Sequence, residues 1–191
     1  MNYVEYTENA IKTHSTTRSR VLVVGAGYNV ESLWKRSNRT VISTGNKDLA
    51  EWCEDYRNSD EFKLIDLVIV SRVLEHLPLR WVDWHLFNLY TVMGNNSKLI
   101  CVIPDMPKVA QELEEEFNKP KSEPGFRMTR LTFELFSEGE DVRERHCLWT
   151  SESSVRYYLE REKLFKVKGV RPVTMDSSIV PPLLEVIAER A

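Results

Sequence analysis

The run Leu64-Ile-Asp-Leu-Val-Ile-Val70 constrains this chain more than any other stretch. It is short, almost wholly apolar and lacks polar alternation, as a strand buried on both faces of a parallel sheet does. Three similar runs surround it: Arg20–Val24, Arg39–Ser43 and Lys98–Ile103. Between them lie stretches of helical texture. Asn29–Arg36 reads as a helix. Pro78–Met93 carries Val82, Leu86, Leu89, Tyr90 and Met93 at helical spacing, with Gly94 where a C-cap glycine belongs. Alternation of strands and helices predicts an α/β fold with a parallel sheet.

Beyond Pro104 the pattern loosens. Pro107–Phe117 reads as an acidic helix whose Glu112–Glu116 run forms a solvated face. Asn118–Gly125 and Ser137–Arg145 read as loops around a helix at Arg127–Phe136. Thr150 is placed to cap a helix running through Lys163. Two strands, Phe165–Val173 and Leu183–Ala188, are expected to close the chain as an antiparallel pair. Residues 44–63 are polar, with only a weak apolar segment at Leu49–Cys53.

The 191 residues suit a single domain over 1–191. Residues 20–105 form its strand-rich half, 104–150 an insertion or lid over the strand ends, and 150–191 the closing helix and strands. With 26 basic against 29 acidic residues, bulk positive charge for nucleic acid is absent. Cys53, Cys101 and Cys147 are odd in number and widely spaced, which argues against a disulfide framework. The Cys147–His146 neighbours lack the paired ligands of a zinc site, so no metal is expected. No apolar run reaches the ~20 residues of a membrane helix. These features predict a soluble, cytoplasmic protein.

Three places together resemble class I S-adenosylmethionine-dependent methyltransferases. Val21-Leu-Val-Val-Gly-Ala-Gly27 resembles the glycine motif after that family's first strand. Ile65-Asp-Leu-Val-Ile-Val-Ser-Arg-Val-Leu-Glu-His-Leu-Pro78 closely resembles its fourth-strand motif. Arg145-His-Cys-Leu-Trp-Thr-Ser-Glu-Ser-Ser-Val-Arg-Tyr-Tyr-Leu159, with the final Leu184–Ala188 strand, is similar to the tail of small-molecule members. The resemblance implies a Rossmann-like sheet, mostly parallel, with an antiparallel C-terminal strand. It implies S-adenosylmethionine as cofactor, held by Gly25, Ala26, Gly27, Tyr28 and Asn29, by Thr44 after the second strand, and by Ser71, Arg72, Val73 and His76 after the fourth. It places Asp55 where a carboxylate accepts the adenine amino group. His146 would face the substrate. Asp105 is a helix cap or a base for the acceptor.

The implied activity is methyl transfer to a small-molecule, sugar or peptide acceptor. Three positions depart from the family pattern: Val23 replaces the usual acid of the first strand, Thr44 that of the second, and Asn29 the third glycine. They favour an alternative in which the fold survives as a catalytically inactive binding or interaction module. A nicotinamide-dependent oxidoreductase is disfavoured by Val30, where its motif needs a third glycine.

Overall fold

A computed structural model describes residues 3–25, 40–43, 48–118, 147–173, 175 and 181–191. The chain opens with helix α1 (Tyr3–His14), then strands β1 (Arg20–Val24) and β2 (Thr40–Ser43). Helix α2 (Leu49–Arg57) leads to β3 (Ile65–Ser71), a short 3-10 turn (Leu74–His76) and α3 (Leu79–Val92). There follow β4 (Met93–Pro104), α4 (Met106–Phe117), α5 (Glu152–Glu160), β5 (Phe165–Val173) and β6 (Leu183–Arg190).

The six strands form one sheet in the order β2-β1-β3-β4-β6-β5. β2, β1, β3 and β4 run parallel. β6 is antiparallel to both β4 and β5. The expected mostly parallel sheet with an antiparallel close is therefore present. Strand order reverses between β1 and β3, so a crevice opens there at the carboxyl ends of the strands.

Why the central strands read as continuous apolar runs is clear from their two cores. Leu22, Val24, Val68, Val70, Leu99 and Cys101 pack on one side beneath α2, α3 and α5. Val21, Val23, Leu67, Ile69, Ile100 and Val102 pack on the other beneath Tyr6, Ala10 and Ile11 of α1. Successive strand residues point to opposite faces, and both faces are covered.

Four sequence expectations change. Residues 49–57 are a helix, with Leu49, Ala50, Cys53 and Tyr56 buried at helical spacing. Asp48 caps it by accepting hydrogen bonds from the N–H groups of Ala50 and Glu51. Gly94 is no helix cap: α3 passes directly into β4 at Met93, which is already extended. The register of β4 against β3 then jumps, from Ile65 opposite Met93 to Leu67 opposite Lys98. The excess residues form a bulge in which Asn96 takes a left-handed φ of 60° and Ser97 donates to the Gly94 carbonyl. Thr150 is not the cap of α5. Ser151 is, in a capping box with Ser154, while Thr150 donates its hydroxyl to the Pro104 carbonyl at 2.6 Å. Leu64, expected in β3, lies outside it and is exposed. The expected helices at Asn29–Arg36 and Arg127–Phe136 lie outside the described residues. Among the described residues no helix is long and apolar enough to cross a membrane.

Candidate functional site

The carboxyl ends of β1 and β3 meet at Gly25 and Ser71. Gly25 holds φ at +119°, and a Cβ there would stand 2.1 Å from the Ser71 carbonyl oxygen and 3.2 Å from Val73 Cγ2. Only glycine lets the end of β1 turn this close to β3. Freedom of Gly25 thus serves the contact between two strand ends as well as the shape of the crevice they enclose.

After Ser71 the chain turns sharply. Arg72 takes a left-handed φ of 57°, rare for a residue with a side chain. The turn is fixed on both sides: Arg72 N–H donates to the Val102 carbonyl at 2.9 Å, and its Nε donates to Glu75 Oε1 at 2.7 Å. Glu75 is fully buried. Burial pushes its carboxyl up from the ordinary glutamate value, and the Arg72 guanidinium opposes this. Its backbone carbonyl accepts from the N–H groups of Cys147 at 2.6 Å and Leu148 at 3.1 Å. The 3-10 turn therefore anchors the chain that leads into α5. Two buried atoms here, Ser71 Oγ and Glu75 Oε2, have no hydrogen-bond partner among the described residues. Buried polar atoms are seldom left so.

Beside this turn, the end of β4 is tied to the later part of the chain. Asp105 N–H donates to the Pro182 carbonyl, and Met106 N–H to the Thr150 carbonyl. A groove of about 510 Å³ opens there, lined by Asp105, Pro107, Ser151, Glu152, Ser153, Arg156 and Leu184. Its size falls within the range of small-molecule sites. Asp105 stands at the N-cap position of α4, yet its side chain makes no capping hydrogen bond. The carboxylate expected to cap instead lines the groove. Arg156 pairs with Glu152 at 3.0 Å.

The fold thus gathers Gly25, Ser71, Arg72, Val73, His76 and Asp105 at one edge of the sheet. His76 is half-buried in the 3-10 turn. Ala26, Gly27, Tyr28, Asn29, Thr44 and His146 lie outside the described residues. Asp55 lies in α2, exposed, about two turns beyond Asp48.

Sequence reasoning misses two residues here. Nothing local marks Glu75, on whose carbonyl the Cys147 and Leu148 N–H groups dock, and Asp48 stands where an Asp immediately before an apolar helical repeat signals a cap. Its Oδ2 lies 3.1 Å from His85 Nε2, while His85 Nδ1 bonds the Trp81 carbonyl. His85 is buried.

The chain matches no protein-family model and no curated protein sequence. Solved structures do share its architecture. A SAM-dependent methyltransferase from Archaeoglobus fulgidus aligns with a TM-score of 0.59 at 15% identity, over 99% of this chain and 95% of that one. Magnesium protoporphyrin IX methyltransferase from Synechocystis PCC 6803, solved with bound SAH, aligns at 0.53 and 12% identity, over 98% and 82%. The 1,6-didemethyltoxoflavin-N1-methyltransferase of Burkholderia thailandensis, solved with bound 1,6-didemethyltoxoflavin and S-adenosylhomocysteine, aligns at 0.60 and 12% identity, over 99% and 79%. Together with the strand order and the crevice at Gly25 and Ser71, these alignments identify the fold of the chain as the Rossmann-like fold of S-adenosylmethionine-dependent methyltransferases.

Proposed function

We propose that this protein is an S-adenosylmethionine-dependent methyltransferase acting on a small polar acceptor. The observation that carries the reading is the built crevice at the strand-order reversal, where Gly25 packs against Ser71 and the turn Ser71–His76 is locked by Arg72 and Glu75. The residues fit the cofactor. Ser71 Oγ and Glu75 Oε2 are buried acceptors without partners among the described residues, and the cofactor's ammonium and hydroxyl groups are donors. Ser71, Arg72, Val73 and His76 would hold its methionine end, and the segment from Gly25 to Asn29, with Thr44, its ribose end. When bound, the cofactor supplies a sulfonium-activated methyl group. Little else is asked of side chains beyond alignment, which supplies roughly 7–11 kcal/mol of a barrier.

In this reading the acceptor occupies the neighbouring groove. Asp105, free of a capping bond, accepts a proton or hydrogen bond from the attacking hydroxyl or amine, and such a base adds about 10²–10⁴-fold. His146 is the second side chain assigned to the acceptor in this reading. Small-molecule acceptors are supported by the similar fold of 1,6-didemethyltoxoflavin-N1-methyltransferase, solved with bound 1,6-didemethyltoxoflavin. One observation favours a non-catalytic module instead: Val23, in the place of an acid, is packed into the core beneath α1 and offers the cofactor nothing.

Amide hydrogen exchange with and without S-adenosylhomocysteine tests the placement. Slowed exchange at Gly25 and across Ser71–Leu77 is the expected pattern. Slowed exchange confined to other elements would remove the crevice as the site.

A further inference from the structure

Helix α3 is apolar on both sides. Val82, Leu86, Leu89 and Val92 face the sheet and are buried. On its outer surface Trp81, Trp84 and Phe87 are 46, 53 and 49% exposed. A surface helix ordinarily turns charge outward. Here the fourteen residues hold only Arg80 and Asp83 as full charges, and Asp83 is already gripped by both Nε and Nη2 of Arg161, the residue that follows α5. The Arg161 guanidinium in turn lies 5.4 Å from the ring centre of Tyr157, which is 61% exposed and extends the patch. Leu79 adds its half-exposed side chain at the first turn.

We infer that a second copy of this chain covers this face, with α3 crossing α3 antiparallel about a two-fold axis at Trp84. Two observations select that occupant. Spacing is the first. Aromatic residues at 81, 84 and 87 are symmetric about 84, so antiparallel pairing sets Trp84 on Trp84 and each Trp81 on the partner copy's Phe87 position. A two-fold interface must be self-complementary in just this way. It also sets the Arg80 ends apart, so like charges do not meet. Area is the second. With large aromatic side chains at ~150–250 Å² each, the exposed parts of these five residues total on the order of 500 Å². Specific interfaces of standard size bury about 800 Å² per partner, and homodimer interfaces are about 65% apolar. The patch supplies that apolar share and lies in the upper part of the ~300–600 Å² range of the largest patch on a lone soluble protein.

Light scattering on the eluting protein tests the inference. The expected mass is twice the 22.3 kDa chain mass, with Trp84→Glu reduced to the single chain mass while its circular dichroism is unchanged. A second variant guards against misfolding: Trp84→Cys with Cys147→Ser. It joins two chains covalently under mild oxidation, because position 84 faces itself across the axis. A single-chain mass for the unmodified protein at about 100 μM, an affinity weaker than most stable dimers, overturns the inference and leaves the face to a different partner. A dimer that survives Trp84→Glu, or a double variant that does not cross-link, overturns it equally.

Discussion

At Gly25 and Glu75 the chain accepts arrangements that most residues would refuse. Alanine at position 25 would need a left-handed φ and would drive Cβ into the Ser71 carbonyl. Gly25→Ala is expected to lower unfolding free energy by at least about 2 kcal/mol. Urea denaturation measures this, and a change under about 0.5 kcal/mol would contradict the geometry. Glu75 has the opposite character, an acid buried for a purpose. Burial raises its pKa in the folded protein above the unfolded value. The native state then holds a proton that the unfolded chain releases, so this group's contribution to stability falls as pH rises from the ordinary glutamate value through the raised one. The stability difference between wild type and Glu75→Gln should therefore become less favourable to wild type as pH rises through that window. A difference that is flat, or of opposite slope, in paired denaturation curves would refute the buried-charge description. Gly25 was legible because a glycine after a buried strand has few other uses. Glu75 was not, since local sequence does not reveal that Cys147 and Leu148 dock on its carbonyl.

Helices α2 and α3 are joined at their flank by Asp48 and His85. Burial pushes the Asp48 carboxyl up, but the hydrogen bonds from His85 and from the Glu51 and Ala50 N–H groups outweigh it and hold the pKa below the usual aspartate value. Asp48→Ala should cost about 1 kcal/mol at neutral pH, the usual worth of an N-cap. A depressed carboxylate contributes above its unfolded pKa and loses that contribution as pH falls through the folded value. The cost should therefore shrink as the pH drops below about 4. Thermal melts of both proteins at neutral and acid pH check this, and a pH-independent cost would show that the carboxylate is not the active part. The elements themselves were largely readable. β3 and the closing pair β5 and β6 follow from apolar runs, and α3 from its spacing. Gly94 misled because a glycine after a helix usually stops it with a turn, whereas here α3 becomes β4 without one and the irregularity is absorbed by the bulge at residues 94–97. Helix α2 was hard to read because residues 44–63 are mostly polar; its repeat is Leu49, Cys53 and Tyr56, which sets Asp55 on the solvent side.

Across the described residues, helices cover both faces of the one sheet and leave its carboxyl edge as the place open to a ligand. The same burial decides the thiols. Cys53 and Cys101 are buried and pushed up to about 12, whereas Cys147 is exposed. Native protein should react with one equivalent of a thiol reagent, and with three after unfolding. Two fast equivalents in the native state would mean that the core of the sheet opens readily. The central claim, that the crevice between β1 and β3 is a cofactor site, is tested most directly by isothermal titration with S-adenosylmethionine and S-adenosylhomocysteine, with NADH as control. The account predicts micromolar binding of the first two, about −8 kcal/mol, and none of NADH. A folded sample that binds neither up to millimolar concentration would contradict it.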